Sequence, residues 1–209
     1  MDLPFRKFLD PPLETATRSG NLQTENKSNE YSSTRGSPRC RCCAGVIHGD
    51  FNEKNVIVRR DPETQDVTIV GVIDFGDAER GPYIFDVAIA VTYCLLQSRL
   101  VDPVDVAGHL VAGYLSRRPG ALNEAERASL WPCVAVRLAQ SLTLGAYTYS
   151  VEPGNEHVLG TAKCGWPLLR RIWWETSRDE LRTGLRTVLA SYDQGVQKYG
   201  ARLHKLYVM

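Results

Sequence analysis

The stretch from Val46 to Asp77 constrains the fold of this chain more than any other. It contains two β-branched runs, Val56–Val58 and Val67–Ile73, separated by the charged, proline-containing segment Arg59–Asp66. β-Branched residues favour strands, and charged residues with a proline favour turns. The pattern therefore predicts an antiparallel hairpin. With strands of about five and six residues, each rising about 3.3 Å per residue, the chain returns to the point where it started.

Three side chains suited to phosphate chemistry lie at the ends of this hairpin. Asp50 and Asn55 precede it, and Asp74 follows it as the first residue of an Asp-Phe-Gly triplet. Asn55 and Asp74 offer hard oxygen ligands that suit Mg²⁺ when phosphates and water complete its shell. Asp50 can accept a proton from a hydroxyl group. An Asp, an Asn five positions later and a metal-binding Asp-Phe-Gly form the spacing of kinase catalytic sites. Hairpins with Asp and Asn at their ends also occur in proteins that bind nothing, but the joint spacing favours a phosphoryl-transfer site.

Composition limits the classes of partner. The chain has 209 residues and a formal net charge of +1, so neither nucleic-acid nor membrane electrostatics is indicated. The first ten residues have scattered charge and no apolar core, and no window of eighteen apolar residues exists, so we expect a soluble, cytoplasmic protein. Its oligomeric state is not indicated.

The six cysteines read as intracellular thiols. Cys40, Cys42 and Cys43 crowd into one short run, whereas Cys94, Cys133 and Cys164 are scattered singly. A zinc site needs a second ligand pair at a suitable spacing, so we expect free thiols and no zinc.

Residues 1–43 differ from the rest of the chain. They are polar, poor in branched apolar residues and without periodicity, and such a segment cannot bury enough surface to offset its ordering entropy. We expect this segment to be disordered and unrelated to the domain formed by residues 44–209.

Helices are predicted after the hairpin. A turn at Gly81–Tyr83 should lead into a buried helix at Ile84–Leu96, because that run is apolar nearly all round. Asp86 in its first turn either complements the helix dipole or hydrogen-bonds the loop that carries His48 to Asp50.

Capping patterns place the later helices. The predicted features are a helix from Asp102–Pro103 to Arg117–Gly120, a longer one from Asn123 that Pro132 kinks or splits, a loop at Tyr147–Trp166, and final helices at Pro167–Trp174 and Ser177–Tyr192. His109 and His204 fall in helical stretches, where core or surface roles are expected, and His157 falls in the long loop.

Taken together, these motifs resemble the aminoglycoside phosphotransferase and choline kinase-like superfamily. The resemblance rests on His48-Gly49-Asp50 with Asn55, on Ile73–Asp77, and on Asp86-Val87-Ala88, and it covers roughly Gly45 to Tyr192. The run from Gly71 through Tyr93 is most similar to the members that phosphorylate 5-hydroxylysine.

The resemblance implies roles for individual residues. Asp50 would be the catalytic base, and Asn55 and Asp74 would bind magnesium and, through it, the nucleotide. His48 would brace the loop, and Asp86 would be the structural carboxylate at the start of the buried helix. The implied donor is GTP or ATP, the implied acceptor is the hydroxyl of 5-hydroxylysine, and the implied pathway is lysine degradation in the cytoplasm.

The implied fold is α+β: a protein kinase-like carboxy-terminal lobe with a catalytic-loop β-hairpin followed by a mainly helical bundle. The amino-terminal lobe of the superfamily, with its phosphate-contacting lysine, is expected to be missing. Only eleven residues separate Asp74 from Asp86, too few for the activation segment of a protein kinase. A small acceptor is therefore favoured.

Two alternatives stay open. The chain could be an inactive kinase-like remnant that serves as a binding or regulatory module, because each lost charge-assisted phosphate contact removes about 1.5–3 kcal/mol of binding. It could also phosphorylate another amino alcohol, such as choline or an aminoglycoside.

Overall fold

Two antiparallel strands form the hairpin that the sequence predicts. The computed structural model describes residues 43–98, 102–155 and 159–194. Strand β2 (Val56–Arg60) pairs antiparallel with β3 (Val67–Val72), with a register irregularity between Ile57 and Val58. The predicted hairpin is therefore present, with strands of five and six residues.

The turn of the hairpin is held by one carboxylate. Asp61 Oδ1 accepts hydrogen bonds from the backbone N–H groups of Glu63 at 2.8 Å and Thr64 at 2.9 Å. These two hydrogen bonds, of which the one from Thr64 contributes most, hold the pKa of Asp61 below its usual value. The Asp61 carboxylate thus helps to fix the geometry of the predicted turn.

A second small sheet lies next to the hairpin. Strand β1 (Ala44–Ile47) pairs antiparallel with β4 (Glu79–Pro82), from Ala44 opposite Pro82 to Ile47 opposite Glu79. The prediction of a turn at Gly81–Tyr83 is wrong, because Gly81 and Pro82 belong to β4 and Tyr83 begins the next helix. The hydrogen bonds to β1 keep this segment extended, and such long-range pairing is not visible in local turn propensity.

Six α-helices follow in the described residues. They are α1 (Tyr83–Gln97), α2 (Pro103–Arg117), α3 (Glu124–Ala128), α4 (Leu130–Val151), α5 (Ala162–Arg170) and α6 (Arg178–Asp193), with a π-helical turn at Arg171–Glu175 between the last two. The architecture is mixed, with helices predominating over two small antiparallel sheets, in agreement with the predicted class.

The helix starts follow the capping patterns. Asp102 caps α2 with Pro103 at its first position, and Ser177 forms the predicted capping box with Glu180 at α6. Asn123 and Glu126 form the other capping box, but the helix that it opens is the short α3. The helix is interrupted at Ser129, and α4 begins at Leu130. Pro132 therefore lies in the first turn of a new helix, where proline is tolerated.

The predicted loop at Tyr147–Trp166 is too long. Helix α4 continues to Val151, and Trp166 lies inside α5, as does Pro167. Local composition does not indicate this extent, because Gly165 and Pro167 are accommodated inside α5.

The apolar core lies among the helices. Helix α1 packs on α2 and α4, α2 packs on α6, and α5 packs on α4. Its fully buried side chains include Val91, Val111, Leu130, Val134 and Leu138. The predicted buried helix is thus the centre of the core, and its first turn faces the loop that follows β1.

Candidate active site

The loop after β1 is fixed by a carboxylate from the first turn of α1. Asp86 Oδ2 accepts a hydrogen bond from the backbone N–H of His48 at 2.7 Å, and its Oδ1 accepts one from the N–H of Gly49 at 2.9 Å. Gly49 has a left-handed φ of 81°, which glycine adopts without steric cost. The helical core and the loop are therefore joined by two charge-assisted hydrogen bonds.

His48 connects this loop to the end of the hairpin. Its ring is buried, its Nε2 lies 2.9 Å from the carbonyl oxygen of Ile73, and its Nδ1 accepts from the backbone N–H of Asp50 at 3.3 Å. These contacts match the imidazole tautomer that carries its proton on Nε2. The Phe75 ring lies 4.8 Å from the histidine ring, centroid to centroid. His48 therefore positions the residues before Asp74 relative to Asp50.

Asp50 lies at the centre of a set of donors. Its Oδ2 accepts from Asn52 Nδ2 at 2.9 Å and from Asn55 Nδ2 at 3.4 Å. Its Oδ1 is paired with a guanidinium nitrogen of Arg137 from α4. The carboxylate is 25% exposed, so it is oriented by the protein and still accessible to a small molecule.

Asn55 and the Asp74 segment lie beside each other at the open end of the hairpin. The N–H of Ile73 donates to the carbonyl oxygen of Asn55 at 3.0 Å. Asn55 is buried, and its side-chain nitrogen donates to the carbonyl oxygen of Asp50 at 2.9 Å. Asp74 is exposed and has a left-handed φ of 63°, which is unusual for a residue with a Cβ. The hairpin thus returns the chain to its start, as the strand lengths predict.

The donor set at this point fits a magnesium–phosphate site. The contact through its nitrogen leaves the Asn55 side chain an amide oxygen, and Asp74 supplies a carboxylate at the surface, and both are hard oxygen ligands. In the described residues no group of three or more His, Cys, Asp and Glu side chains could hold a metal ion. Two protein oxygens with phosphate and water completing the shell is the arrangement in which Mg²⁺ is usually bound with a nucleotide.

Two tyrosines, Tyr83 at the start of α1 and Tyr114 on α2, lie near Arg118. Burial raises the pKa of the Tyr114 phenol, while the charge of Arg118 opposes that rise and the nearby Tyr83 and Asp86 add to it. Arg118 also donates to the Tyr83 hydroxyl at 3.2 Å. These three residues are remote in sequence from the loop that Asp86 holds.

Sequence reasoning missed two residues of the site, Arg137 and Tyr93. Arg137 donates both to Asp50 and to the Tyr93 hydroxyl, the latter at 3.0 Å. An arginine within the apolar sequence Val134–Leu138 is an available signal, because a cation inside a core helix needs a partner. Nothing in the sequence, however, identifies a partner 87 positions away.

Other predicted candidates lie outside this cluster. His109 is buried in α2 with its Nδ1 2.6 Å from the Tyr192 hydroxyl, a core position. Cys43, Cys94, Cys133 and Cys164 form no disulfide within the described residues. His157, His204, Cys40 and Cys42 lie outside the described residues, as does the segment 1–43 that is predicted to be disordered, except for Cys43.

Comparison with known proteins points in the same direction as the geometry. Residues 39–120 match the phosphotransferase enzyme family. The chain is 42% identical over 137 residues to a hydroxylysine kinase of Danio rerio, covering 65% of this chain and 37% of that protein. It is 36% identical over 148 residues to a hydroxylysine kinase of Mus musculus, covering 64% of this chain and 38% of that protein.

A third relative extends the match. A hydroxylysine kinase of Xenopus laevis is 31% identical over 163 residues, which cover 70% of this chain and 42% of the relative. The chain thus spans about two fifths of the length of the curated relatives that it matches. No solved structure matches it. Among the described residues no helix is both long and apolar enough to cross a membrane.

Proposed function

Because residues 39–120 of this chain match the phosphotransferase enzyme family, we propose that it carries the catalytic loop and acceptor side of a small-molecule kinase. The proposed acceptor is the side-chain hydroxyl of 5-hydroxy-L-lysine, the substrate that the names of its relatives indicate. The proposed donor is GTP, with ATP as the alternative, and the proposed setting is lysine degradation in the cytoplasm. The observation that supports this most is the convergence of Asp50, Asn55 and the Asp74 segment at one end of the hairpin.

Asp50 is the proposed catalytic base. In the reaction the acceptor oxygen forms a bond to the γ-phosphorus, the bond from that phosphorus to the bridging oxygen breaks, and the nucleoside diphosphate leaves. The acceptor proton passes to the Asp50 carboxylate, which Asn52 and Asn55 hold in place. Since the protein does little covalent work in phosphoryl transfer, positioning of this carboxylate is the main requirement.

Asn55 and Asp74 are the proposed magnesium ligands. The ion would neutralise charge on the donor phosphates when bound. His48 and Asp86 are the proposed supports of the loop: His48 ties Asp50 to the end of β3, and Asp86 holds the N–H groups of His48 and Gly49. Loss of either support would displace the base.

A second candidate is a binding or regulatory module without phosphoryl transfer, since the nucleotide contacts proposed among the described residues are made only through Asn55 and Asp74. Each missing charge-assisted contact weakens binding by about 1.5–3 kcal/mol. Acceptors such as choline or an aminoglycoside remain further candidates for the same site.

The deciding experiment is phosphate transfer from GTP and from ATP to hydroxylysine, choline and an aminoglycoside by the 209-residue chain. The Asp50→Asn variant should lose transfer by several orders of magnitude, whereas Asp179→Asn, which alters an exposed carboxylate in the first turn of α6, should retain it. Equal turnover by Asp50→Asn and the wild type would remove Asp50 from the mechanism. Absence of transfer together with nucleotide binding much weaker than micromolar would favour the module without phosphoryl transfer, whereas micromolar nucleotide binding would count against it.

A further inference from the structure

Helix α4 directs a single cation at the proposed base. Arg137 donates through Nη2 to Asp50 Oδ1 and to the Tyr93 hydroxyl, and through Nη1 to Gln140 Oε1 at 3.1 Å. The Arg137 side chain is only 18% exposed, and its Nε is buried without a hydrogen-bond partner among the described residues. Its guanidinium lies 5.4 Å from the Tyr93 ring centroid.

This arrangement is costly if it serves the fold alone. An unsatisfied buried N–H of a charged group is a desolvation cost that hydrogen bonds elsewhere do not recover. The core on the same helix is completed by Val134 and Leu138, both fully buried, and needs no cation. The partly exposed Arg137 guanidinium lies beside the proposed reaction centre, where it can contact an anionic ligand.

A carboxylate is the ligand group that fits these donors. Arginine presents planar, paired N–H groups that match the two oxygens of a carboxylate, and a phenol hydroxyl adds a further donor. An acceptor whose only charges are positive offers no such group to Arg137. Choline and aminoglycosides are acceptors of that kind, whereas an amino acid brings a carboxylate.

We infer that Arg137, together with Tyr93, binds the α-carboxylate of the acceptor and so selects a hydroxy amino acid over a cationic amino alcohol. The inference rests on the proposed function, since it takes Asp50 as the point where the acceptor hydroxyl lies. Arg137 is then the residue that determines specificity, and its contact with Asp50 holds the carboxylate-binding group and the base at a fixed separation.

The test is equilibrium binding to the 209-residue chain without nucleotide, by calorimetry and by NMR titration. The ligands are hydroxylysine and hydroxycadaverine, which is hydroxylysine without its carboxylate. The wild type should bind hydroxylysine roughly tenfold or more tightly than hydroxycadaverine, the effect of one charge-assisted contact. In Arg137→Gln the two ligands should bind within about twofold of each other.

Three variants separate recognition from folding. Arg137→Lys keeps the charge and should retain part of the discrimination, and Tyr93→Phe keeps the ring and should reduce it. Arg186→Gln removes an exposed arginine on α6 that is paired with Glu124 of α3 at 2.9 Å. This variant should discriminate between the two ligands as the wild type does. Thermal unfolding of each variant identifies any loss of fold, and Arg137→Lys and Tyr93→Phe decide the question if Arg137→Gln does not fold.

Equal affinity of the wild type for both ligands, or no binding of either, would overturn the inference. So would discrimination that survives in Arg137→Gln, or an Arg137 effect confined to nucleotide binding, which would make the phosphate the anion that it contacts. The transfer assay distinguishes failure of the proposed function from failure of the carboxylate inference. Asp50-dependent transfer at equal kcat/KM to both ligands keeps the proposed function and removes the carboxylate contact, whereas Arg137-dependent binding without transfer keeps the contact and removes the proposed function.

Discussion

The helices and the β2–β3 hairpin are stabilised in different ways. Among the helices, Val91, Val134 and Leu138 are fully buried, whereas on the hairpin Val58 and Ile69 are exposed although they are just as apolar. A two-stranded hairpin alone is marginally stable in water. The hairpin is therefore held by its hydrogen bonds and by the loop that it adjoins, and the helices by their own packing.

The proposed active site lies where these two regions meet. Asp86 and Arg137 extend from the helices to the loop and to Asp50, and His48 continues the connection to the end of β3. The stable region thus positions the chemical groups of the less stable one. A variant that weakens the core should unfold everything, while one that breaks a connection should disturb the site and leave the helices folded.

The largest effect is expected in the core. Leu138→Ala removes a fully buried side chain and should lower the free energy of unfolding by about 2–5 kcal/mol. Ile69→Ala is the matched change on the hairpin, where the side chain is 63% exposed, and should cost well under about 1 kcal/mol. Urea titration followed by circular dichroism measures both, and equal losses would contradict the contrast between the two regions.

The next effect separates steric collision from backbone strain in the loop. Alanine at position 49 would have to adopt a left-handed φ, and its Cβ would also collide with the backbone carbonyl oxygen of Asp77. Gly120 has a similar φ of 76°, but nothing lies within 4 Å of its Cβ position. Gly49→Ala should cost about 3 kcal/mol, and Gly120→Ala about 1 kcal/mol from strain alone. Chemical denaturation measures both free energies of unfolding. Similar costs would show that the loop at Gly49 shifts to relieve the collision at little energetic cost.

Much of the fold is predictable because it is encoded locally. The hairpin follows from two β-branched runs around a charged turn, and the capping residues Asp102, Asn123 and Ser177 mark real helix starts. The nearly continuous apolar run from Ile84 to Leu96 is enough to place the buried helix α1. Each of these features depends on neighbours within a few positions.

The remaining features depend on contacts between distant segments. Strand β4 exists because Ala44–Ile47 pairs with it, and α4 runs on to Val151. The Arg137–Asp50 pair joins residues that are 87 positions apart. Local pattern could predict the candidate residues Asp50, Asn55 and Asp74, but not the cation that contacts the first of them.

A moderate effect is expected from breaking the connection at α1. Asp86→Ala removes the acceptor of two backbone N–H bonds and should cost about 2 kcal/mol, and hydrogen exchange should accelerate at the amides of His48 and Gly49. Asp105→Ala removes a first-turn carboxylate from α2 and controls for helix-dipole effects. Unchanged exchange at His48 and Gly49 would mean that the loop does not depend on α1.

The smallest effect is expected from a surface charge on the helical region. The backbone N–H of Ser177 donates to Glu180 Oε2 at 2.9 Å and holds the pKa of Glu180 below its ordinary value of 4.5. Because the folded state binds this proton less readily than the unfolded state, Glu180 stabilises the fold above the unfolded pKa, and that contribution is lost as the pH falls through the folded pKa.

The wild type should therefore be more stable than Glu180→Gln near neutral pH, and the difference should disappear in acid, as measured by urea unfolding across that range. A difference independent of pH would assign the effect to packing or helix propensity instead of charge. If the pH-dependent difference in the free energy of unfolding is smaller than the loss in Leu138→Ala, packing and not exposed charge distinguishes the helices from the hairpin. Since Glu180 is exposed on α6, water screens its charge, and the ordering of the two effects follows from burial.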